Sequence, residues 1–439
     1  MTPEELLTQS GNAAWMLMSA SLVLLMTPAL ALFYGGMSRQ KSVLNMMMMS
    51  FGTLGVVSII YILWGWSISY GTQDVAGLFA NPFEFFGLKD SITDAEGNYI
   101  AGAGGYPNII DVGFQLTFAV ISTALISGAL AERVKFSTWL AFSGLWATFV
   151  YAPLAHMVWG GGLLSGAETG LAAKLFGLSE EGTALIEPID FAGGTVVHIS
   201  AGTAALVLAL MVGPRKTFKL YPQRPHNLPL VMLGAALLWF GWFGFNAGSA
   251  FAADGGAGLA WLNTTVATAA AMLGWLLIER LRDGHATSLG AASGIVAGLV
   301  TITPAAGAAT PLTSIILGFI GGIVGAFAVG LKYRFNFDDS LDVVGVHLCA
   351  ALWGTIGIGF FADGQGVLTG GGADGFKLVV VQIVIALVAV VFAGVVTAII
   401  ALALKAIMGW RVSDEVEITG IDTKIHGESA YDSIGPDIR

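Results

Sequence analysis

The chain has 439 residues, of which 55% are hydrophobic and only 11% charged, where a soluble domain carries about 25% charged residues. That balance excludes a soluble globular enzyme and describes a polytopic membrane protein. The formal net charge of −10 falls mostly in loops and tail and gives no ground for a nucleic-acid partner, and the single cysteine, Cys349, excludes an internal disulfide.

The first fifteen residues, MTPEELLTQSGNAAW, are acidic and lack the basic region of a signal peptide. The small residues at Ala29–Ala31 imitate a cleavage site, but the first apolar run reads as a retained span. Hydropathy predicts an all-α membrane protein of about eleven helices. Their ranges are 12–36, 43–70, 110–131, 136–158, 190–212, 228–250, 258–280, 287–303, 311–333, 342–362 and 378–408. Two long connections, 71–109 and 159–189, read as outer excursions.

Basic residues set the expected orientation. Sixteen fall in one set of loops and the C-terminal end, among them Arg39, Lys41, Arg133, Lys135, Arg215, Arg282, Lys332, Arg411 and Arg439. Only Lys89, Lys174 and Lys377 fall on the other side. The positive-inside rule predicts an outer N-terminus and an inner C-terminus, which an odd number of spans also requires. Glycine is abundant, and Gly244-x-x-x-Gly248, Gly290-x-x-x-Gly294-x-x-x-Gly298 and Gly318-x-x-x-Gly322 predict close helix packing.

Spans five and ten resemble each other, GTVVH against VVGVH, with Asp190 before His198 and Asp342 before His347. Five spans apart, the second copy must run upside down, so an inverted five-helix repeat is expected. The domain reading is one eleven-span membrane domain at 1–409 and a cytoplasmic tail at 410–439. Repeat one covers about 12–212, repeat two about 228–362, and the extra span about 378–408.

Ionisable groups inside apolar runs are costly and mark pathways. His198, eight residues after Asp190, is expected about 12 Å deeper along a helix. His347, entering from the opposite face, should meet it near the midplane. Desolvation favours neutral rings, which still donate and accept hydrogen bonds. Asp190 suits an N-cap, a cation attractor, or both. Two histidines are too few for a zinc site, and Cys349 and Ser200 are each two residues from a histidine and face away from it, so neither a metal centre nor a serine nucleophile is expected. At the outer end of span six, WFGFNAGS (Trp242–Ser249) places Phe245 and Ser249 on one face. An aromatic face with a hydroxyl suits a small cation. Trp159 by itself reads first as a membrane-interface anchor, and Phe118 could pair with Phe245 as an apolar plug, although core packing is the commoner fate of a phenylalanine.

The motifs ALFYGGM, ALAERVKFS, AHMVWGGGLL, DFAGGTVVH, PHNLP, GWFGFNAGS, NTTVATAAAMLGW, DVVGVH and HGESAY together resemble the ammonium transporter family (Amt/Mep/Rh), within it the Amt branch. The resemblance spans nearly the whole chain. It implies a multi-pass protein of the cell (inner) membrane, a homotrimer with one pore per subunit, no cofactor and no enzymatic activity. It implies that Trp159 and Ser249 recruit ammonium, with Asp190 supporting from behind. Phe118 and Phe245 would be a stacked gate, His198 and His347 twin pore histidines, Trp242 pore wall, and Thr303 part of the pore region. Retention of both Trp159 and Ser249 is unlike the Rh branch. The tail resembles a segment that couples subunits and meets PII-type regulators. Membrane lipid and methylammonium join ammonium and ammonia as expected partners. Two rival readings are an ammonium sensor signalling through the tail, and an intramembrane hydrolase, which lacks nucleophile geometry.

Overall fold

A computed structural model describes residues 3–221 and 224–431; Arg439 lies outside them. Among the described residues, eleven helices are long and apolar enough to cross a membrane. They are Leu7–Met37, Gln40–Tyr70, Asn108–Leu130, Phe136–Trp159, Gly194–Val212, Leu228–Ala247, Gly255–Asp283, Ser288–Ala305, Pro311–Phe335, Val344–Phe361 and Gly372–Ile407, and are called here the first to eleventh spans. The count and most boundaries match the hydropathy reading, because hydrocarbon demands about 20 consecutive apolar residues per helix.

The eleventh span shows how apolar sequence chooses its faces. Ala386, Ala389, Ala393, Thr397, Ile400 and Leu404 are buried, whereas Leu387, Val391, Val395, Ile399 and Leu402 are exposed. Small side chains line the middle of the packing stripe, at Ala386, Ala389, Ala393 and Thr397, and the exposed face there is large and apolar, as expected where lipid is the solvent. The glycine ridges act the same way. Gly318 and Gly322 of the ninth span stand against backbone at Ala267 and Ala271 of the seventh, and Gly294 and Gly298 of the eighth abut Met272 and Thr268 of the same helix.

The two ends of the bundle differ. At one, Gln9 and Asn12 of the first span donate to Gly105 O and Gly104 O of the long connection after the second span. That connection holds a small hairpin, Asp74–Val75 against Phe79–Ala80. His156 Nε2 meets the Asp74 carboxylate at 2.9 Å, and this hydrogen bond holds the Asp74 carboxyl below its usual range. At the other end the basic loops gather. Arg39 pairs with Glu132 at 2.6 Å, Arg215 grips both carboxylate oxygens of Asp338 at 2.8 and 2.9 Å, and Arg133 donates to Ser340 Oγ and Asp338 O. The described part of the tail packs onto this surface. Glu417 bonds Arg411 and the backbone N–H of Lys216, while Asp422 accepts the N–H groups of Leu44 and Asn45. The described start of the first span and the described part of the tail therefore lie at opposite ends of the bundle.

Five spans contain a π-helical turn: Tyr61–Gly65, Ala147–Tyr151, Gly194–Ile199, Phe243–Ala247 and Val344–Cys349. The third, fourth and fifth of these carry His198, Phe245 and His347. Single π turns inside α-helices cluster at functional sites. Uniform 3.6-residue spacing, assumed from sequence, does not hold at these positions.

Candidate functional site

Asp190 does not begin the fifth span. The helix starts at Gly194, after Gly193 at φ +109°. Asp190 folds back so that its carboxylate accepts the N–H groups of Gly193, Thr195 and Val196 at 3.0, 2.9 and 3.2 Å. These are amides that a helix start leaves without intrahelical partners. Four residues separate Gly194 from His198, and they lie in the π-helical turn Gly194–Ile199, so the α-helical rise behind the expected 12 Å does not apply along this stretch. The Asp190 carbonyl in turn accepts the indole N–H of Trp159 at 2.9 Å.

The matching acid on the tenth span is Asp339, not Asp342. Asp339 accepts the N–H groups of Val343 and Val344 at 3.0 and 2.7 Å, and it precedes His347 by the same eight residues that separate Asp190 from His198. Asp342, at φ +65°, occupies the place of Gly193 and pairs with Lys332 at 2.6 Å. Matching the acid nearest to each histidine missed this, because spacing rather than nearness sets which carboxylate reaches the free amides.

The two histidines meet. His198 Nδ1 and His347 Nδ1 are 3.2 Å apart, with rings 18° from parallel and centroids 5.3 Å apart. Their helices cross at Gly202, which abuts the Leu348 backbone. Trp242 stacks on His198 at 5.4 Å. The rings border a void of about 10 Å³ whose other walls are apolar, among them Met26, Leu30, Phe33, Ile121, Leu125 and Val296. One Nδ1 must donate and the other accept, so one ring keeps a free Nε2 acceptor and the other an Nε2–H donor. Among the described residues no partner reaches His198 Nε2.

Toward the end opposite the basic loops, called outer here after the expected orientation, Phe118 and Phe245 stack with centroids 4.1 Å apart and planes at 24°. Phe118 lines an outer cavity of about 680 Å³, and Phe245 lines the histidine void. The pair therefore stands between the two spaces. Trp159 approaches Phe118 edge-on at 6.3 Å, and Trp159, Ser249 and Asp190 line the same outer cavity. The Ser249 hydroxyl donates to Phe245 O at 2.8 Å, which leaves its oxygen free to accept. At the opposite end a cavity of about 400 Å³ is lined by Arg39, Glu132, Arg215, Lys332 and Asp342.

Thr303 stands behind Trp242. Its hydroxyl accepts the Trp242 indole N–H at 2.9 Å and donates to Leu299 O at 2.7 Å. Sequence reading passed over three further groups. Phe114 packs on Phe118 at 4.8 Å, one helical turn outward, a spacing that was visible in the chain. Tyr34 is buried and donates to Leu125 O on the void wall. Gln115 lines the outer cavity.

With this geometry in place, the comparisons with known proteins converge. The model of the Ammonium Transporter Family matches residues 14–431. An ammonium transporter of Mycobacterium tuberculosis is 51% identical over 441 residues, covering 96% of this chain and 90% of that protein. Among solved structures, one described as Sensor Amt Protein superposes with a TM-score of 0.83 at 28% identity, covering 96% of this chain and 99% of the other. Mep2 of Saccharomyces cerevisiae gives 0.80 at 30% identity, with 93% and 88% covered.

Proposed function

The chain belongs to the ammonium transporter family and is a multi-pass membrane protein that transports ammonium; from that premise we propose how it does so. Ammonium is recruited in the outer cavity by the face of Trp159 and the accepting oxygen of Ser249, with Asp190 bracing Trp159 from behind. It sheds water there, passes the Phe118–Phe245 gate, loses a proton and crosses as NH3 along His198 and His347. Trp242 forms the wall, held in place by Thr303.

The observation that carries this reading is the histidine pair, in contact at 3.2 Å beside an apolar void. An intact cation in such a space keeps none of its hydration, which costs several kcal/mol. Potassium is close to ammonium in size and cannot reduce its charge. Ammonium can: an N–H bond breaks, the electron pair stays on nitrogen, and NH3 continues as a neutral hydrogen-bonding molecule. The free Nε2 acceptor and the Nε2–H donor of the pair suit both faces of NH3. The proton either returns to outer water or crosses along the imidazole pair, and current measurement in proteoliposomes separates the two.

The same reading takes the basic end as cytoplasmic, the two histidine helices as halves of an inverted repeat, and residues 410–439 as a regulatory tail open to a PII-type protein. Subunits assemble as a homotrimer in the lipid bilayer. The test is the double variant His198→Ala with His347→Ala, assayed for ammonium and potassium flux. Discrimination should fall by about tenfold or more, since losing roughly 1.4 kcal/mol of barrier difference suffices. Selectivity equal to that of the unmodified protein would sink the mechanism.

A further inference from the structure

We propose that His156 is a positioning residue for ammonium recruitment: its ring, carrying a proton on each nitrogen, ties the outer hairpin to the last turn of the fourth span and so fixes the place of Trp159. The proposal rests on the reading of Trp159 as part of the recruitment site. His156 Nδ1 lies 3.1 Å from Ser69 O, and Nε2 lies 2.9 Å from Asp74 Oδ1. A backbone carbonyl and an ionised carboxylate only accept hydrogen bonds. Both ring nitrogens must therefore donate, which is the property of the imidazolium. The His156 side chain is 2% exposed, and a charge buried so deeply needs a hydrogen-bonded counter-ion, which Asp74 supplies. Asp74 is the charged side chain in contact with the ring. Glu84, on the same connection, is spent on Thr72 and Gln73, and Asp190 on the start of the fifth span. Tyr70 and Tyr151 are the nearest titratable residues along the second and fourth spans.

The bridge joins three pieces of chain. Ser69 belongs to the end of the second span, Asp74 to the hairpin, and His156 to the fourth span one turn before Trp159. The hairpin is held further by Gly77, whose N–H donates to the Asp74 carboxylate at 3.0 Å and whose carbonyl accepts the Leu163 N–H at 2.8 Å. The His156 carbonyl accepts the N–H groups of Gly160 and Gly162 at 3.0 and 3.1 Å, so the turn directly after Trp159 closes on the same residue. Gly160 lies too close to Ser69 O and His156 Nδ1 to carry a Cβ. Trp159 sits between these anchors, with its indole N–H on Asp190 O. The connection that carries the hairpin also lines the outer cavity, through Thr72, Phe85, Asp90 and Ser91. When the ring loses its second proton, one nitrogen turns a lone pair toward an oxygen and attraction becomes repulsion. Trp159 and the cavity wall then lose a shared anchor, and recruitment weakens while the histidine pair is untouched.

The test uses purified full-length protein in proteoliposomes, with labelled methylammonium uptake titrated at outer pH from about 6 to 10, a range that covers an ordinary histidine and one held by a carboxylate. Asp74→Asn keeps an acceptor for the ring and removes the charge, at a side chain that is half-exposed. At about pH 7 its half-saturating concentration should stand about three- to tenfold above that of the unmodified protein, with maximal rates within about twofold. That ratio should fall toward one as the pH rises and the unmodified ring loses its second proton. Equal half-saturation at every pH, a fall in maximal rate alone, or a ratio that does not change with pH overturns the proposal. Nitrogen-15 NMR of histidine-labelled protein reads the ring directly. The unmodified protein should show an imidazolium signal that vanishes in His156→Gln or, should that variant fail to fold, shifts in Asp74→Asn; a spectrum without such a signal overturns the proposal. Trp159→Leu is the marker for the underlying reading. If it raises half-saturation while Asp74→Asn does not, positioning by His156 alone fails; if Trp159→Leu has no effect, recruitment at Trp159 fails and the proposal with it.

Discussion

Replacing Gly202 by alanine would probe the histidine pair without touching either ring. A Cβ on Gly202 would meet Leu348 N at 2.6 Å, Leu348 Cβ at 2.7 Å and Leu348 Cα at 2.8 Å. None of these atoms is the tip of a flexible side chain, so no rotamer change relieves the clash. Ordinary contact begins near 3.4 Å, so the fifth and tenth spans must part by about 0.8 Å (3.4 − 2.6). His198 lies one turn from Gly202, and His347 is the residue before Leu348. Their Nδ1 contact of 3.2 Å would open to about 4 Å, beyond hydrogen-bond range. Overpacking of this kind costs about 1–3 kcal/mol, and the lost hydrogen bond about 1 kcal/mol more. If roughly 1.4 kcal/mol of this reaches the transport barrier, ammonium flux falls about tenfold. The assay is methylammonium uptake and ammonium current in proteoliposomes, paired with a structure of the variant. Full flux together with rings still in contact would refute the argument that helix spacing at Gly202 holds the pair.

Two further predictions concern the basic end. Burial, then the charge of Asp342, pushes the Asp339 carboxyl up to about 7, against the opposing pull of Lys332 and the Val344 and Val343 N–H groups. The unfolded carboxyl, near 3.8, loses its proton first, so between about pH 4 and 7 the folded state binds more protons. Stability from this group is full below that window, falls as pH rises through it, and levels off above about 7. Asp339→Asn should flatten the slope of thermal midpoint against pH, and parallel profiles for the two proteins would contradict the assignment. Asp422 caps the start of the second span from the tail. Asp422→Ala should cost about 0.5–2 kcal/mol of local stability and speed proteolysis after Gly409; an unchanged cleavage rate would show that the other tail contacts, such as Glu417 with Arg411 and Lys216, hold the tail without it.

Much of the site was legible because membranes penalise polar groups. His198, His347 and Asp190 stood out as ionisable residues in apolar runs, and each sits where the helices converge. The aromatic residues were harder. Without the family resemblance, core packing was the commoner reading of Phe118, and only the fold stacks it on Phe245 between two cavities. Asp339 was passed over for Asp342, since both precede the helix and only the folded backbone decides which carboxylate reaches the Val343 and Val344 amides. Thr303 was expected in the pore region, yet its hydroxyl is spent on Trp242 and Leu299.

By itself, the chain determined eleven spans, their basic and acidic ends and the polar residues within them. These follow from local properties: hydrocarbon needs about 20 apolar residues per crossing, and loop charge biases direction. Tertiary structure decided how the two imidazoles, 149 residues apart and expected to meet, make contact, and it placed them in π-helical turns. Those depend on how closely non-neighbouring helices approach; the glycine spacings show which faces can approach, but the partner helix and the distance are set by side-chain interlock across the bundle.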